Sequence, residues 1–216
     1  MFAKLAKISN PAPRKLAVTL RARISVRAIA AVAAFVFTGI IPACLAAPTP
    51  QPPPQPHVDK FVLDDTIQPV SADQLSRALA IANSDGAAAL LIEINTPGGL
   101  VDSMRRMAGA ILSSRTPVII YVAPAGARAA SAGFFLLESA DVAAMAPGTN
   151  AGAAHVVFEM GKPDQTMAQK AENDAEAFLR SYVSRRNRNV AAAIAAVQSS
   201  KSYSAEEALA EHLIDL

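Results

Sequence analysis

Ala87-Ala88-Ala89-Leu90-Leu91-Ile92-Glu93-Ile94-Asn95-Thr96-Pro97-Gly98-Gly99 begins as a nearly continuous apolar run, broken only by Glu93, and ends in a turn. Such a run fits a strand covered on both faces, and Pro-Gly-Gly marks where it stops. On the C-terminal side, Val101, Met104, Met107, Ala108, Ile111 and Leu112 recur at helical spacing over Val101 to Ser113. Pro117 to Ala123 is a second apolar strand, a helix follows Ser131, and Asp141 to Ala146 is a third strand. On the N-terminal side, Phe61-Val62-Leu63 is a short strand, and Ser71-Ala72-Asp73-Gln74 has the spacing of a capping box opening a helix through Ala82. Strand and helix therefore alternate, which predicts an α/β fold of repeated βαβ units with parallel strands.

Beyond Thr166 the pattern becomes all helical. Met167 to Arg186 puts Ala171, Ala175, Phe178, Leu179 and Tyr182 on one face, Asn189 caps a helix through Val197, and Ser204-Ala205-Glu206-Glu207 is another capping box. The last residues, Leu213-Ile214-Asp215-Leu216, read as the beginning of a strand.

Charge divides the chain. Of 20 basic residues, seven precede the first acidic residue, so the part after Ala47 carries 13 basic against 18 acidic groups, a net of −5. That part has no basic footprint for nucleic acid. The N-terminal charges precede an uncharged apolar run, Ala28 to Ile41, closed by Pro42 and small residues, so residues 1–47 read as an export signal or membrane anchor. The run is short of the roughly 20 residues that cross a bilayer, and the charge asymmetry directs the downstream chain to the exported side. The expected place is the periplasm or the outer face of a bacterial inner membrane. Cys44, the single cysteine, excludes an intrachain disulfide. Its context, Ile41-Pro42-Ala43-Cys44, loosely resembles a lipoprotein signal, but proline departs from that pattern and a residue within a cleaved signal is the preferred reading. Residues 48–59 are a proline-rich linker, and 60–216 form the folded domain.

Gly126-Ala127-Arg128-Ala129-Ala130-Ser131-Ala132-Gly133 is a small-residue turn that places one serine at a helix start. An exposed serine at a strand-to-helix turn, with a second glycine turn thirty residues earlier to supply N–H groups for an oxyanion, points to acyl transfer. Taken singly, a serine between alanines is a helix cap and Pro-Gly-Gly a turn; the combination is the specific signal. The serine needs a base. His155 lies 24 positions on and Lys170 39 positions on. A lysine serves only where burial or a neighbouring cation brings its pKa from about 10.4 toward 7 to 8. The residues alone leave His155 and Lys170 both open. No cofactor is expected, and His57, His155 and His212 are scattered without metal-ligand spacing.

The turn Asn95 to Ser103, the Val122 to Gly133 segment and Met145-Ala146-Pro147-Gly148-Thr149-Asn150-Ala151-Gly152-Ala153-Ala154-His155 together resemble the NfeD family of membrane-bound serine proteases, partners of stomatin in operons. The similarity continues through Lys170 to Asp174, Arg186 to Asn189 and Ser202 to Ala208, covering nearly everything after Phe61. The serine and Gly-Gly elements are shared with the Clp proteolytic subunit and signal peptide peptidase A.

The resemblance implies a Clp-protease/crotonase-like fold and a Ser/Lys dyad, with Ser131 as nucleophile and Lys170 as base. The N–H groups of Gly99, Gly98 and Ala132 would form the oxyanion hole. It implies an ATP-independent endopeptidase acting on apolar peptide segments, including those of stomatin-like membrane proteins, and a homo-oligomer. Full-length relatives continue into membrane-spanning helices and a small β-barrel, parts that the expectation for this sequence leaves out. Asn95 stands where relatives carry aspartate, and Glu138 where an apolar or small residue is expected. Alternatives are a Ser131/His155 mechanism and a catalytically silent scaffold for a stomatin-like protein. An acyl-CoA enzyme of the crotonase type is disfavoured by export.

Overall fold

Isoleucine and leucine at alternate positions of a strand share one face, so the run at 89–95 can cover a core with Leu90, Ile92 and Ile94, all three buried. The computed structural model describes residues 55–157 and 164–216. The export segment 1–47, Cys44 and the first part of the proline-rich linker lie outside the described residues. In chain order the elements are β1 (Val58–Asp64), α1 (Pro69–Asp85), β2 (Ala89–Asn95), α2 (Val101–Leu112), β3 (Val118–Val122), β4 (Arg128–Ala130), α3 (Ala132–Ser139), β5 (Val142–Met145), β6 (Asn150–Gly152), α4 (Gln165–Val183), a 3-10 turn at Ser184–Arg186, α5 (Val190–Gln198), β7 (Ser202–Ser204) and α6 (Ala205–Ala210).

Four parallel strands form the main sheet in the order β1-β2-β3-β5, as the α/β alternation predicts. A second sheet, β4-β6-β7, joins β4 and β6 in parallel and β7 antiparallel to β6. Its strands are three residues long and rich in small residues, so no hydrophobic period announces them. The two sheets meet through Thr96, whose N–H donates to the Arg128 carbonyl and whose carbonyl accepts from the Ala130 N–H.

Several expectations shift in detail. β1 runs from Val58 to Asp64, longer than the expected Phe61-Val62-Leu63, and the second face of β2 is only half covered, with Glu93 paired at 2.7 Å to Lys60 of β1. Helix α1 begins before the expected capping box: Pro69 occupies the first turn, and Ser71 accepts the Gln68 N–H at 2.9 Å from inside the helix. The final residues are not a strand. Leu213 and Ile214 plug the core, while the Asp215 N–H donates to the Ala143 carbonyl and the Leu216 carbonyl accepts from the Met145 N–H along the free edge of β5. The caps at Asn189 and Ser204 are as expected, with side chains accepting the N–H groups of Ala192 and Glu207.

Helix α3 carries no polar face: every residue from Ala132 to Ser139 is buried, so it runs through the centre of the domain with α2 and α4 against it. Its carbonyl end is closed from the C-terminal segment. Tyr182 Oη donates to the Phe135 carbonyl at 3.1 Å, Arg188 to the carbonyls of Leu137, Glu138 and Ala140 at 3.3, 3.0 and 3.2 Å, and Arg186 to that of Ser139 at 3.1 Å. Cationic donors at this end satisfy orphan carbonyls and favour the helix dipole.

Candidate active site

Ser131 falls between β4 and α3, at φ 53° and ψ −118°, a conformation that costs a non-glycine residue about 1–3 kcal/mol. It is held there by its N–H donating to the Gly152 carbonyl at 2.8 Å and its carbonyl accepting from the Phe134 N–H at 3.0 Å. A strained serine on a sharp strand-to-helix turn is the geometry of a nucleophile elbow.

The glycine turn packs directly on it. Gly98, at φ 112°, lies so close that an added Cβ would stand 2.6 Å from Ser131 Cβ and 3.1 Å from its Oγ. Gly99 is pressed on Ile67, whose N–H donates to the Gly98 carbonyl at 2.8 Å while its carbonyl accepts from the Leu100 N–H at 2.8 Å. Of the three expected oxyanion donors, the Gly98 N–H is already donated to Thr96 Oγ1 at 3.2 Å. The N–H groups of Gly99 and Ala132 have no partner among the described residues, and both residues line one cleft with Ser131.

That cleft, about 440 Å³, is walled by Val101, Met104, Phe135, Val156 and Ala175, with Arg105 and Asp174 as its charged pair. His155 also lines it; the ring is exposed, with Nδ1 3.2 Å from the Val197 carbonyl. Lys170 stands elsewhere. It is exposed on α4, in a neighbouring shallow groove with Gln165, Thr166, Gln169 and Asn173, while the next residue, Ala171, lines the cleft. No hydrogen bond joins Lys170 to Ser131 among the described residues.

Two residues that stand out in the sequence have physical explanations. Asn95 uses both ends of its amide, donating to Asp64 Oδ1 at 2.9 Å and accepting the Arg128 N–H at 3.1 Å, so it ties β1 to the strand that carries the serine. An aspartate could not donate. Glu138 is fully buried on α3, and neither carboxylate oxygen has a hydrogen-bond partner among the described residues. Burial pushes its pKa from the ordinary 4.5 to about 8, opposed by Arg188 and reinforced by Asp215, so at neutral pH it is an uncharged acid. The same burial, with Glu138 nearby, holds the Tyr182 phenol well above its usual range.

Metal-ligand chemistry lies away from this cleft. Among the described residues one set could hold an ion, His57, Asp59 and Asp85, between the start of β1 and the end of α1. The spacing of the three histidines in sequence does not reveal it.

A parallel sheet, a buried central helix and a serine at its amino end define the Clp-protease type of α/β fold. Residues 57–216 match the family described as NfeD1b, N-terminal domain, and the chain belongs to that family. The membrane-bound protease PH1510 of Pyrococcus horikoshii is 36% identical over 146 residues, which cover 67% of this chain and 33% of that protein. The chain thus spans about a third of that relative's length. Among solved structures, the 1510-N membrane-bound stomatin-specific protease in a serine-to-alanine variant matches with a TM-score of 0.69 at 33% identity, covering 75% of this chain and 79% of that one. Its lysine-to-alanine variant in complex with a substrate peptide matches with a TM-score of 0.70 at 33% identity, covering 74% of each.

Proposed function

We propose that this chain is an exported, ATP-independent serine endopeptidase that cleaves apolar peptide segments, with Ser131 as nucleophile and Lys170 as base. The observation that carries the reading is the strained Ser131 at the amino end of α3, sharing a cleft with two unpartnered N–H groups. In the proposed reaction Ser131 Oγ attacks the scissile carbonyl, and its proton passes to the lysine amine. The oxyanion is held by Gly99 and Ala132, and the amine then protonates the leaving nitrogen as the C–N bond breaks, leaving the acyl group as an ester on Ser131 Oγ. A water deprotonated by the same amine adds to the ester and releases the carboxyl product, restoring the Ser131 hydroxyl. Gly98 acts through shape, leaving room beside Oγ.

Support for Lys170 comes from the relative, whose serine and lysine variants include one holding a substrate peptide. A peptide lying over the cleft, or a second copy of the chain, would bury the exposed Lys170 turn and bring the amine to the hydroxyl. We place the activity outside the inner membrane, tethered or released by residues 1–47, with stomatin-like membrane proteins as the substrate class and a homo-oligomer as the working form.

One observation favours a second reading. His155 lines the same cleft as Ser131, and an Nδ1–H donated to the Val197 carbonyl leaves Nε2 free to accept a proton. A scaffold without catalysis is the third reading. Treating the folded chain with a fluorophosphonate probe separates enzyme from scaffold: labelling at Ser131 that is lost in Ser131→Ala supports the enzyme, and a folded protein without labelling at Ser131 supports the scaffold.

A further inference from the structure

Apart from Ser131 and His155, the side chains lining the cleft are apolar except for two facing charges on different helices. Arg105 of α2 reaches Asp174 of α4, its Nη2 donating to Asp174 Oδ2 at 2.5 Å and to the Asp174 carbonyl at 3.4 Å. Its guanidinium also lies 4.4 Å from the centre of the Phe178 ring, one turn along α4. One side chain thus grips two successive turns of α4, and both charged partners line the cleft that holds the serine.

We infer that Arg105 and Asp174 form a self-neutralising pair that determines which substrate side chains the cleft accepts. With each charge answered by the other, that part of the cleft offers neither an unpaired cation to an acidic side chain nor an unpaired anion to a basic one. A neutral apolar side chain needs no charged partner there, whereas a charged one meets one like charge and one opposite charge already engaged, at a pair that still touches water (Arg105 31% and Asp174 72% exposed). Specificity is therefore a property of the balance. Removing the anion leaves a cation stacked on Phe178, removing the cation leaves an anion, and the two changes shift selectivity in opposite directions. The inference rests on the reading of this cleft as a peptide site and does not require catalysis.

The test uses the full chain carrying Ser131→Ala, and measures binding of a fluorescent apolar octapeptide by anisotropy. In the companion peptides each position in turn is glutamate or lysine. At the position that meets the pair, either charge is expected to weaken binding about tenfold, the size of one unfavourable charge placement of about 1.4 kcal/mol. Adding Asp174→Asn restores glutamate binding to within about threefold of the parent peptide and leaves the lysine penalty; adding Arg105→Gln does the reverse. Penalties that stay unchanged in both variants, or that fall alike for both charges, overturn the inference. Circular dichroism matching the parent confirms that each variant is folded. If the penalties do not respond but the Ser131 form cleaves the peptide, the selectivity claim fails and the protease reading stands. If each variant lifts one penalty and leaves the other while the Ser131 form cleaves nothing, the reverse holds. Absence of peptide binding overturns both.

Discussion

At Ser131 the chain accepts a positive φ, held by three neighbours: the N–H donates to the Gly152 carbonyl, the carbonyl accepts the Phe134 N–H, and Gly98, with no side chain, packs close beside Cβ. Gly98→Ala tests this closeness. Its added methyl meets Ser131 Cβ at 2.6 Å and its φ of 112° disfavours any side chain, so peptide cleavage should fall at least about a hundredfold, with the loss in kcat rather than KM. Glu138 gives a second prediction. Its folded pKa of about 8 lies above 4.5, so the folded state binds the proton more tightly than the unfolded chain. The stabilisation is complete below about pH 4.5 and is lost as pH rises through 8, a span on the order of a few kcal/mol at about 1.4 kcal/mol per pKa unit. Glu138→Gln should flatten this decline and be the more stable protein at pH 8, as read from urea unfolding at pH 5 and pH 8. The residue pattern shows Glu138 as out of place on an apolar helix, but its protonation depends on burial, which a sequence does not display.

Among the elements, the long strands and helices are legible because each carries its own period: alternating burial along 89–95, and the apolar stripe Ala175, Leu179 and Tyr182 along α4. Strands β4, β6 and β7 are not legible, since three residues are too few to carry an apolar period and take strand geometry from their partners. The start of α1 is misread from residue type because Ser71 fits a cap, whereas Pro69 fixes the first turn. The carbonyl end of α3, the helix that Ser131 opens, is closed by Arg188. Arg188→Ala removes the donor for three buried carbonyls and the partner of Asp215, so stability should drop by about 3–5 kcal/mol in urea unfolding. Arg188→Lys, with one point charge in place of a planar fork, should recover only part of the loss.

For the whole molecule, the α/β architecture is readable from the strand–helix alternation and the pairing of Ser131 with the glycine turn from the order of the motifs; in the structure the two meet where Thr96, just after β2, bridges Ala129 of β4. The proposed base is not so readable: Lys170 and Ser131 belong to different elements, Lys170 is exposed, and no hydrogen bond joins them among the described residues. The most direct measurement is cleavage of a peptide from the apolar C-terminus of a stomatin-like protein, with products identified by mass spectrometry for the unmodified chain, Ser131→Ala, Lys170→Ala and His155→Ala. A Ser131/Lys170 mechanism gives specific products from the unmodified chain, retained in His155→Ala and lost in both Ser131→Ala and Lys170→Ala. The same products at the same rate from Ser131→Ala or Lys170→Ala would contradict it.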